Sequence, residues 1–187
     1  MRKTMRFATG GLVFTLGLGG CSTPTSAPAS GPTVEATRRA LDTQVDQDLS
    51  RLNELQVITS GRLLVDLPAE ATACYGLPCA GSSWVQPYWD ERAHQADRLH
   101  KLADVAAATV SNVTRGDHTK SEADAALAAL NALHLVQGAS LVEAQPANSL
   151  NCYNLPCPSD IAAADDATAL HVAEVFAIVD AAKRSGL

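Results

Sequence analysis

Leucine and valine recur every three or four residues after residue 40, which is the spacing of one face of an α-helix. Pro68 marks the expected end of this helix, because a proline disfavours helical backbone in the residue before it. Gly61 is a weak point, so a break near residue 60 is the alternative, and 57–65 is the stretch that competes as a strand. The apolar stripe comprises Leu41, Val45, Leu49, Leu52, Leu55, Leu63 and Leu67.

The same pattern returns in the second half of the chain. It opens at TKSE, where Thr119 and Glu122 suit a capping box, and Pro146 marks its expected end. The step at 138–139 is the corresponding weak point. A second predicted helix follows each of these, over about 84–113 and about 159–183. The stripe of the later first helix contains Ala123, Leu127, Leu130, Leu133 and Leu141.

Two six-residue phrases show that the similarity is a duplication. CYGLPC at 74–79 returns as CYNLPC at 152–157, 78 positions later. Across the 28 residues that end with each phrase, 11 are identical without a gap. The sequence therefore predicts two tandem copies, about 34–115 and about 116–187. Because each copy reads helix, turn, helix, we expect an all-α domain, an antiparallel four-helix bundle of two helix–disulfide turn–helix repeats.

Four of the five cysteines lie in these phrases: Cys74, Cys79, Cys152 and Cys157. An even number in an exported chain favours disulfides. The favoured pairing lies within each phrase, Cys74–Cys79 and Cys152–Cys157, and a crossed pairing between the repeats is the alternative. Zinc sites usually place cysteines closer together with further ligands close behind, so metal binding and catalytic thiols are the weaker interpretations.

The amino terminus carries the signals of export. A basic start precedes a short apolar run at 10–20, which is shorter than the roughly 20 residues of a membrane-spanning helix and is typical of a signal peptide. The run ends in LGGC at 18–21, which resembles the lipobox of bacterial lipoproteins. The resemblance implies a signal peptide of residues 1–20, cleavage before Cys21, and acyl chains such as palmitate on that cysteine.

A small, polar, proline-punctuated segment follows, so residues 21–33 are expected to be a lipidated cysteine and a flexible tether to a helical domain at 34–187. Several acyl chains together give stable membrane anchoring. Ser22 stands where an aspartate would resemble an inner-membrane retention signal. We therefore expect a protein anchored to the outer membrane and facing the periplasm of a Gram-negative bacterium.

Composition narrows the choice of partners. Losing residues 1–20 removes three of the 14 basic residues and none of the 20 acidic ones, which lowers the net charge from −6 to −9. An acidic surface disfavours nucleic acid and anionic lipid headgroups. Met1 and Met5 leave with the signal peptide, which excludes a thioether-rich copper site.

The stretch ERAHQADRLH at 91–100 is the sharpest candidate for chemistry, since its two carboxylate-x-x-histidine pairs echo those of di-metal helical bundles. At 100° per residue, however, His94 falls about 140° from Leu99, on a charged face. We therefore expect no metal and no other cofactor. His100 and His171 each follow a leucine and are expected to be half-buried counterparts, bonded to backbone or carboxylate groups.

The aromatic residues Trp84, Tyr88 and Trp89 cluster at the start of the second helix, while Tyr75 and Tyr153 lie inside the two cysteine turns. Tryptophan and tyrosine are favoured at binding hot spots, so these five are candidate partner-binding residues, with capping of the bundle core as the alternative. The later copy has no counterpart of WxxxYW, so a site here would be one-sided.

No catalytic constellation emerges, and we predict that the protein is not an enzyme. The first hypothesis is a membrane-anchored lipoprotein with a non-enzymatic binding or structural role in the cell envelope, whose partner is another envelope protein. The alternative is a small-molecule or metal binder that uses the space between the two helical hairpins.

Overall fold

The computed structural model describes residues 33–59, 61–65, 85–147 and 155–187. Contacts divide the chain into Met1–Gly31 and Pro32–Leu187, and every described residue belongs to the second unit. This part is mostly helical, which confirms the all-α prediction at that level. Its elements are α1 (Val34–Glu54), β1 (Ile58–Thr59), β2 (Arg62–Leu63), α2 (Val85–Val110), α3 (Ala123–Asn131), β3 (Val136–Gln137), β4 (Ser140–Leu141) and α4 (Pro158–Arg184).

The first helix of each copy ends well before the proline expected to stop it. Gln56 and His134, two and three residues beyond the helix ends, have φ of 56° and 52°. They lie 78 positions apart. A left-handed residue cannot continue a right-handed helix, so the chain leaves as a strand, and the buried Leu63 and Leu141 are strand residues. The prediction that these helices reach Pro68 and Pro146 is therefore wrong. The strand considered as the alternative at 57–65 is present in part, as β1 and β2.

The short strands pair between the two copies. β1 pairs antiparallel with β4, and β2 with β3. Ile58 lies opposite Leu141, and Leu63 lies opposite Val136. Adding 78 to the first member of one pair and subtracting 78 from the second gives the other pair. This exchange is what a twofold relation between two equal partners produces.

The hydrogen bonds that flank the strands obey the same rule. The Val142 N–H donates to the Val57 carbonyl, and the Leu64 N–H donates to the Leu135 carbonyl, each at 2.9 Å. Applying the offset of 78 converts one bond into the other. The two copies are therefore related by a pseudo-twofold axis that passes between the strand pairs.

α1 and α2 run in the same direction. Near their starts the guanidinium of Arg38 lies 4.7 Å from the ring centroid of Trp89, and near their ends Arg51 bonds Asp104 at 2.5 Å. Residue numbers thus rise together along both helices. The antiparallel hairpin predicted for this pair is wrong, because a stripe of apolar residues indicates which face is buried but carries no information on helix direction.

The second helices pack against each other, with α1 on α2 and α3 on α4. The buried positions of α2 and α4 agree at a spacing of 73 residues. Val172 is therefore the equivalent of Leu99, and His171 is the equivalent of Arg98. The expected equivalence of His100 with His171 is therefore wrong, since packing rather than the shared leucine–histidine dipeptide sets the register. The matched buried positions are Ala96/Ala169, Leu99/Val172, Leu102/Val175 and Ala106/Val179.

One surface ion pair supports both spacings. Asp42 of α1 bonds Arg92 of α2 at 2.7 Å, and Lys120, just before α3, bonds Asp165 of α4 at 3.1 Å. Lys120 stands 78 positions after Asp42, and Asp165 stands 73 positions after Arg92. Both copies thus have an ion pair at these two positions, with the charges reversed. The attraction between the positions is the same although both residues differ.

Leu52 and Leu130 occupy equivalent positions in this core and are almost fully buried. Truncating either to alanine should lower the free energy of unfolding by about 2–5 kcal/mol, the range for buried leucines. Ser50 supplies the control, because it is exposed and its equivalent in the second copy is the exposed Ala128. Ser50→Ala should change the free energy of unfolding by less than about 0.5 kcal/mol. Urea unfolding of residues 32–187, followed by circular dichroism, measures both, and equal effects of Leu130→Ala and Ser50→Ala would contradict the symmetric core.

Candidate functional site

A groove lies between the amino-terminal parts of α1 and α2. It has a volume of about 230 Å³. Its floor and walls combine apolar side chains with Arg38 and Trp89, and Val34 at its end is 65% exposed. The lining residues are Val34, Thr37, Arg38, Leu41, Gln86, Trp89, Asp90 and Ala93.

The indole ring of Trp89 contacts three other side chains at this groove. The guanidinium groups of Arg38 and Arg92 lie 4.7 and 5.8 Å from its ring centroid, and Tyr88 meets it edge-on at 5.4 Å. Arg92 is also paired with Asp42, whereas in the described part of the chain Arg38 has no carboxylate partner. A cation over an indole face is attracted by the ring quadrupole, so Arg38 is held in place and its charge remains available.

The wall that α1 gives this groove has no full helical counterpart among the described residues of the second copy, because α1 is longer than α3. The start of α3, Ala123, corresponds to Val45, and the short 3-10 helix Lys120–Glu122 before it corresponds to residues 42–44, so residues 34–41 of α1 have no helical equivalent. All three buried residues of α1, namely Val45, Asp48 and Leu52, lie beyond this extension. The extension therefore adds little to the core, and it supplies one wall of the groove.

A second one-sided feature lies further along the same helix pair. The carboxylate of Asp48 is almost fully buried and accepts hydrogen bonds from Nδ1 of His100, at 2.9 and 3.1 Å, and from Arg51 at 3.1 Å. Arg51 also binds Asp104, and Nε2 of His100 lies 3.7 Å from the other oxygen of Asp104. These four residues close a ring, called here the α1–α2 network.

The electrostatics of the network follow from these contacts. The hydrogen bonds that Arg51 donates to Asp104 and, second, to Asp48 raise the pKa of Arg51. The hydrogen bond from Arg51 lowers the pKa of Asp104, with a smaller effect of His100. A carboxylate can only accept, so Nδ1 of His100 carries a proton. Nε2, the other ring nitrogen, faces Asp104.

The second copy places a different set of polar groups on α4. His171 donates through Nδ1 to the carbonyl of Val142 at 2.6 Å, and the hydroxyl of Thr168 accepts from the Ala144 N–H at 3.1 Å. The expectation that His100 and His171 bond to carboxylate or backbone groups is confirmed. Glu174, one turn beyond His171, is buried, and its Oε2 has no hydrogen-bond partner among the described residues.

Several predicted site residues lie outside the described residues, namely Cys21, Cys74, Cys79, Cys152, Tyr75, Trp84 and Tyr153. Of the others, Tyr88 and Trp89 contact each other in α2 as described, and Cys157 immediately precedes α4, where its N–H donates to Asp160 at 3.3 Å. Lipidation and both disulfide pairings stay predictions. The capping interaction expected at TKSE is present, since the Thr119 N–H donates to Glu122 at 2.7 Å.

The carboxylate–histidine pairs considered for a metal are not brought together. Glu91 accepts a hydrogen bond from Gln95, and His94 is exposed. Among the described residues no group of three histidine, cysteine or acidic side chains could hold a metal ion. A search of the same residues finds no helix with the length and apolar character needed to cross a membrane.

Sequence reasoning missed the α1–α2 network, although one signal was present. Asp48 lies between Val45 and Leu52 on the stripe of α1 that faces the core. A charged residue on such a stripe needs a partner. That partner, His100, lies 52 positions away, and the sequence alone could not identify it without the direction of α2.

No protein-family model matches the chain, and neither a curated protein nor a solved structure does. The functional argument therefore depends on the geometry of the two one-sided features.

Burial raises the pKa of Glu174 above its ordinary value of 4.5, and the nearby His171 opposes this to a smaller extent. A group with a raised folded-state pKa stabilises fully below its unfolded pKa, and the contribution is lost as the pH rises through the folded value. Glu174→Gln should therefore gain stability over the wild type as the pH rises from about 4 to about 8, by about 1 kcal/mol at the upper end, the lower range for a buried unpaired polar group.

Urea unfolding of both proteins across that range gives the measurement, with the exposed Glu143→Gln as the control. A difference between Glu174→Gln and wild type that does not grow with pH would show that the carboxyl is not held in a desolvated site.

Proposed function

We propose that the protein is a lipid-anchored lipoprotein of the cell envelope, on the periplasmic side of the outer membrane, that binds a protein partner non-enzymatically through the groove between α1 and α2. The observation that carries this is the one-sided extension of α1. Residues 34–44 add no fully buried side chain to the core, and they form a wall around Trp89 and the available guanidinium of Arg38.

The chemistry of the groove suits a protein partner. Interface hot spots are enriched in tryptophan, tyrosine and arginine, and they combine an apolar anchor with a directed polar group. Leu41 and Ala93 supply apolar lining beside Trp89, while Arg38 supplies the polar group. Val34 is exposed at the end of α1 that leads to the tether, so a partner in the groove would lie close to the anchored end of the domain.

The alternative hypothesis placed a small molecule or metal between the two halves. The cavity lined there by Leu52, Leu102, Leu130 and Val175, among others, has a volume of only about 10 Å³ and an apolar lining. That is at the lower limit for one water molecule. The structure therefore supplies no observation that favours this second function.

The anchor is tested by Cys21→Ala. Because the acyl chains are attached to this cysteine in the proposed lipoprotein, we expect the variant to leave the membrane fraction or to accumulate unprocessed. Cell fractionation with a salt wash measures this. Normal, salt-resistant membrane association of the variant would contradict the lipid anchor.

The groove is tested with a photo-crosslinking amino acid at Gln86, in the intact lipoprotein in its own membranes. Ser159 stands 73 positions later, at the equivalent exposed site of α4, and supplies the matched control. We expect a crosslinked protein from position 86 alone, reduced roughly thirtyfold or more by Trp89→Ala, since loss of a hot-spot side chain costs about 2 kcal/mol or more. The same products from both positions, or none from position 86, would contradict partner binding at the groove.

A further inference from the structure

The internal duplication shows which features of the first copy the fold itself requires. Equivalent positions are known from the strand exchange and the ion pair of reversed charge, at spacings of 78 for the first helices and 73 for the second. Each member of the α1–α2 network can therefore be compared with the residue that performs the same packing role in the second copy.

All four equivalents are alanine. They are Ala126 for Asp48, Ala129 for Arg51, Ala173 for His100 and Ala177 for Asp104. Ala126 is fully buried, as is Asp48 within a few per cent. Two helices of this fold thus pack against each other at the same place with methyl groups alone.

The network is therefore an addition to the fold. A buried carboxylate is costly unless its partners are in place, and an alanine pair would avoid that cost. The presence of Asp48 with two partners, Arg51 and His100, that are themselves joined to Asp104 calls for a role other than packing. The position of Asp48 indicates a role at the groove. Asp48 lies seven residues beyond Leu41, which lines the groove, and seven residues span about 10 Å along a helix.

We infer that the α1–α2 network is a proton-dependent tie that regulates the groove, closed when His100 carries two protons and loosened when Nε2 loses its proton. This inference rests on the proposed function of the groove. With two protons, His100 donates to Asp48 through Nδ1 and faces Asp104 with an N–H, so that two carboxylates balance two cations.

Loss of the proton removes that balance. Nε2 then presents a lone pair toward Asp104, 3.7 Å away, and the buried Asp48 retains one full cation, Arg51, in place of two. Histidine is the side chain that changes charge near neutral pH. The charged groups that face it are Asp48 and Arg51 of α1 and Asp104 of its own helix; in the described part of the chain no ion pair joins His100 to α4.

The wall of the groove depends on this tie because few buried groups hold it. Between Val34 and Val45 no residue of α1 is fully buried, and Leu41 is only partly buried against the core. Among the described residues, the polar contacts of this stretch with α2 are Arg38–Trp89 and Asp42–Arg92. The network is the first buried polar attachment below them. When His100 has a single proton, the extension is therefore expected to open from α2 more often.

Hydrogen exchange of α1 amides in the full-length protein tests the tie without any partner. His100→Gln is the comparison, since its amide can still donate to Asp48 and does not titrate. At about pH 5 we expect amides of residues 36–44 to exchange roughly tenfold more slowly in the wild type, the effect of one charge-assisted hydrogen bond. At about pH 8 the two proteins should exchange alike, and comparison at equal pH cancels the intrinsic rate.

The variant with Ala at positions 48, 51, 100 and 104 together tests the claim that the network is an addition. Because the second copy packs with these residues, we expect it to fold with unchanged helical circular dichroism and to exchange at rates that match His100→Gln in their dependence on pH. A wild-type to His100→Gln ratio that is the same at both pH values would overturn the tie, and an unfolded four-alanine variant would overturn the addition. Neither outcome affects crosslinking at Gln86, so failure of the inference is distinguishable from failure of the proposed function.

Discussion

The exchange of strand segments between the two copies is the constraint on which the rest of the structure depends. Each copy carries two-residue strands whose pairing partners lie in the other copy, as Ile58 with Leu141 and Leu63 with Val136 show. Buried backbone N–H and C=O groups must be paired, so one copy alone would leave these groups without partners. Gln56 and His134, whose backbones are left-handed, make this exchange possible. They turn the chain out of the helix at equivalent points, just before the strands begin.

Once the strands are exchanged, the axis between them determines which side chains must agree. The second helices meet across it, and their buried positions match even where the residues differ, as in Leu99 and Val172. Away from the axis, equivalent side chains are free to differ in the sign of their charge as well as in size. The ion pair with reversed charges is the clearest case. Symmetry is thus close in the backbone hydrogen bonds of the strands and in the matched core positions, and loose in residue identity.

The sequence predicted the duplication, the two copies and the positions of α2 and α4 to within a few residues, because identity at a fixed spacing and helical periodicity are local signals. It failed for the ends of α1 and α3, since glutamine, the residue type of Gln56, is not enriched in a left-handed backbone, and the enrichment of histidine there does not single out His134. It also failed for helix direction and for the α1–α2 network, which depend on contacts between residues about 50 positions apart. The pattern of aromatic residues predicts Trp89 as a partner-binding residue, which stays a prediction, whereas Arg38 and the length of α1 gave no signal.

A duplicated fold carries an internal comparison that a single-copy fold lacks. Where both copies keep a feature, as with Leu52 and Leu130, packing is a sufficient explanation. Where one copy manages with alanine what the other does with Asp48, Arg51, His100 and Asp104, packing is excluded as the reason, because the simpler solution is present in the same molecule. The extension of α1 and the network both fall in this second class, and both lie on one pair of helices. Function is therefore sought on α1 and α2, with α3 and α4 showing what the scaffold alone requires.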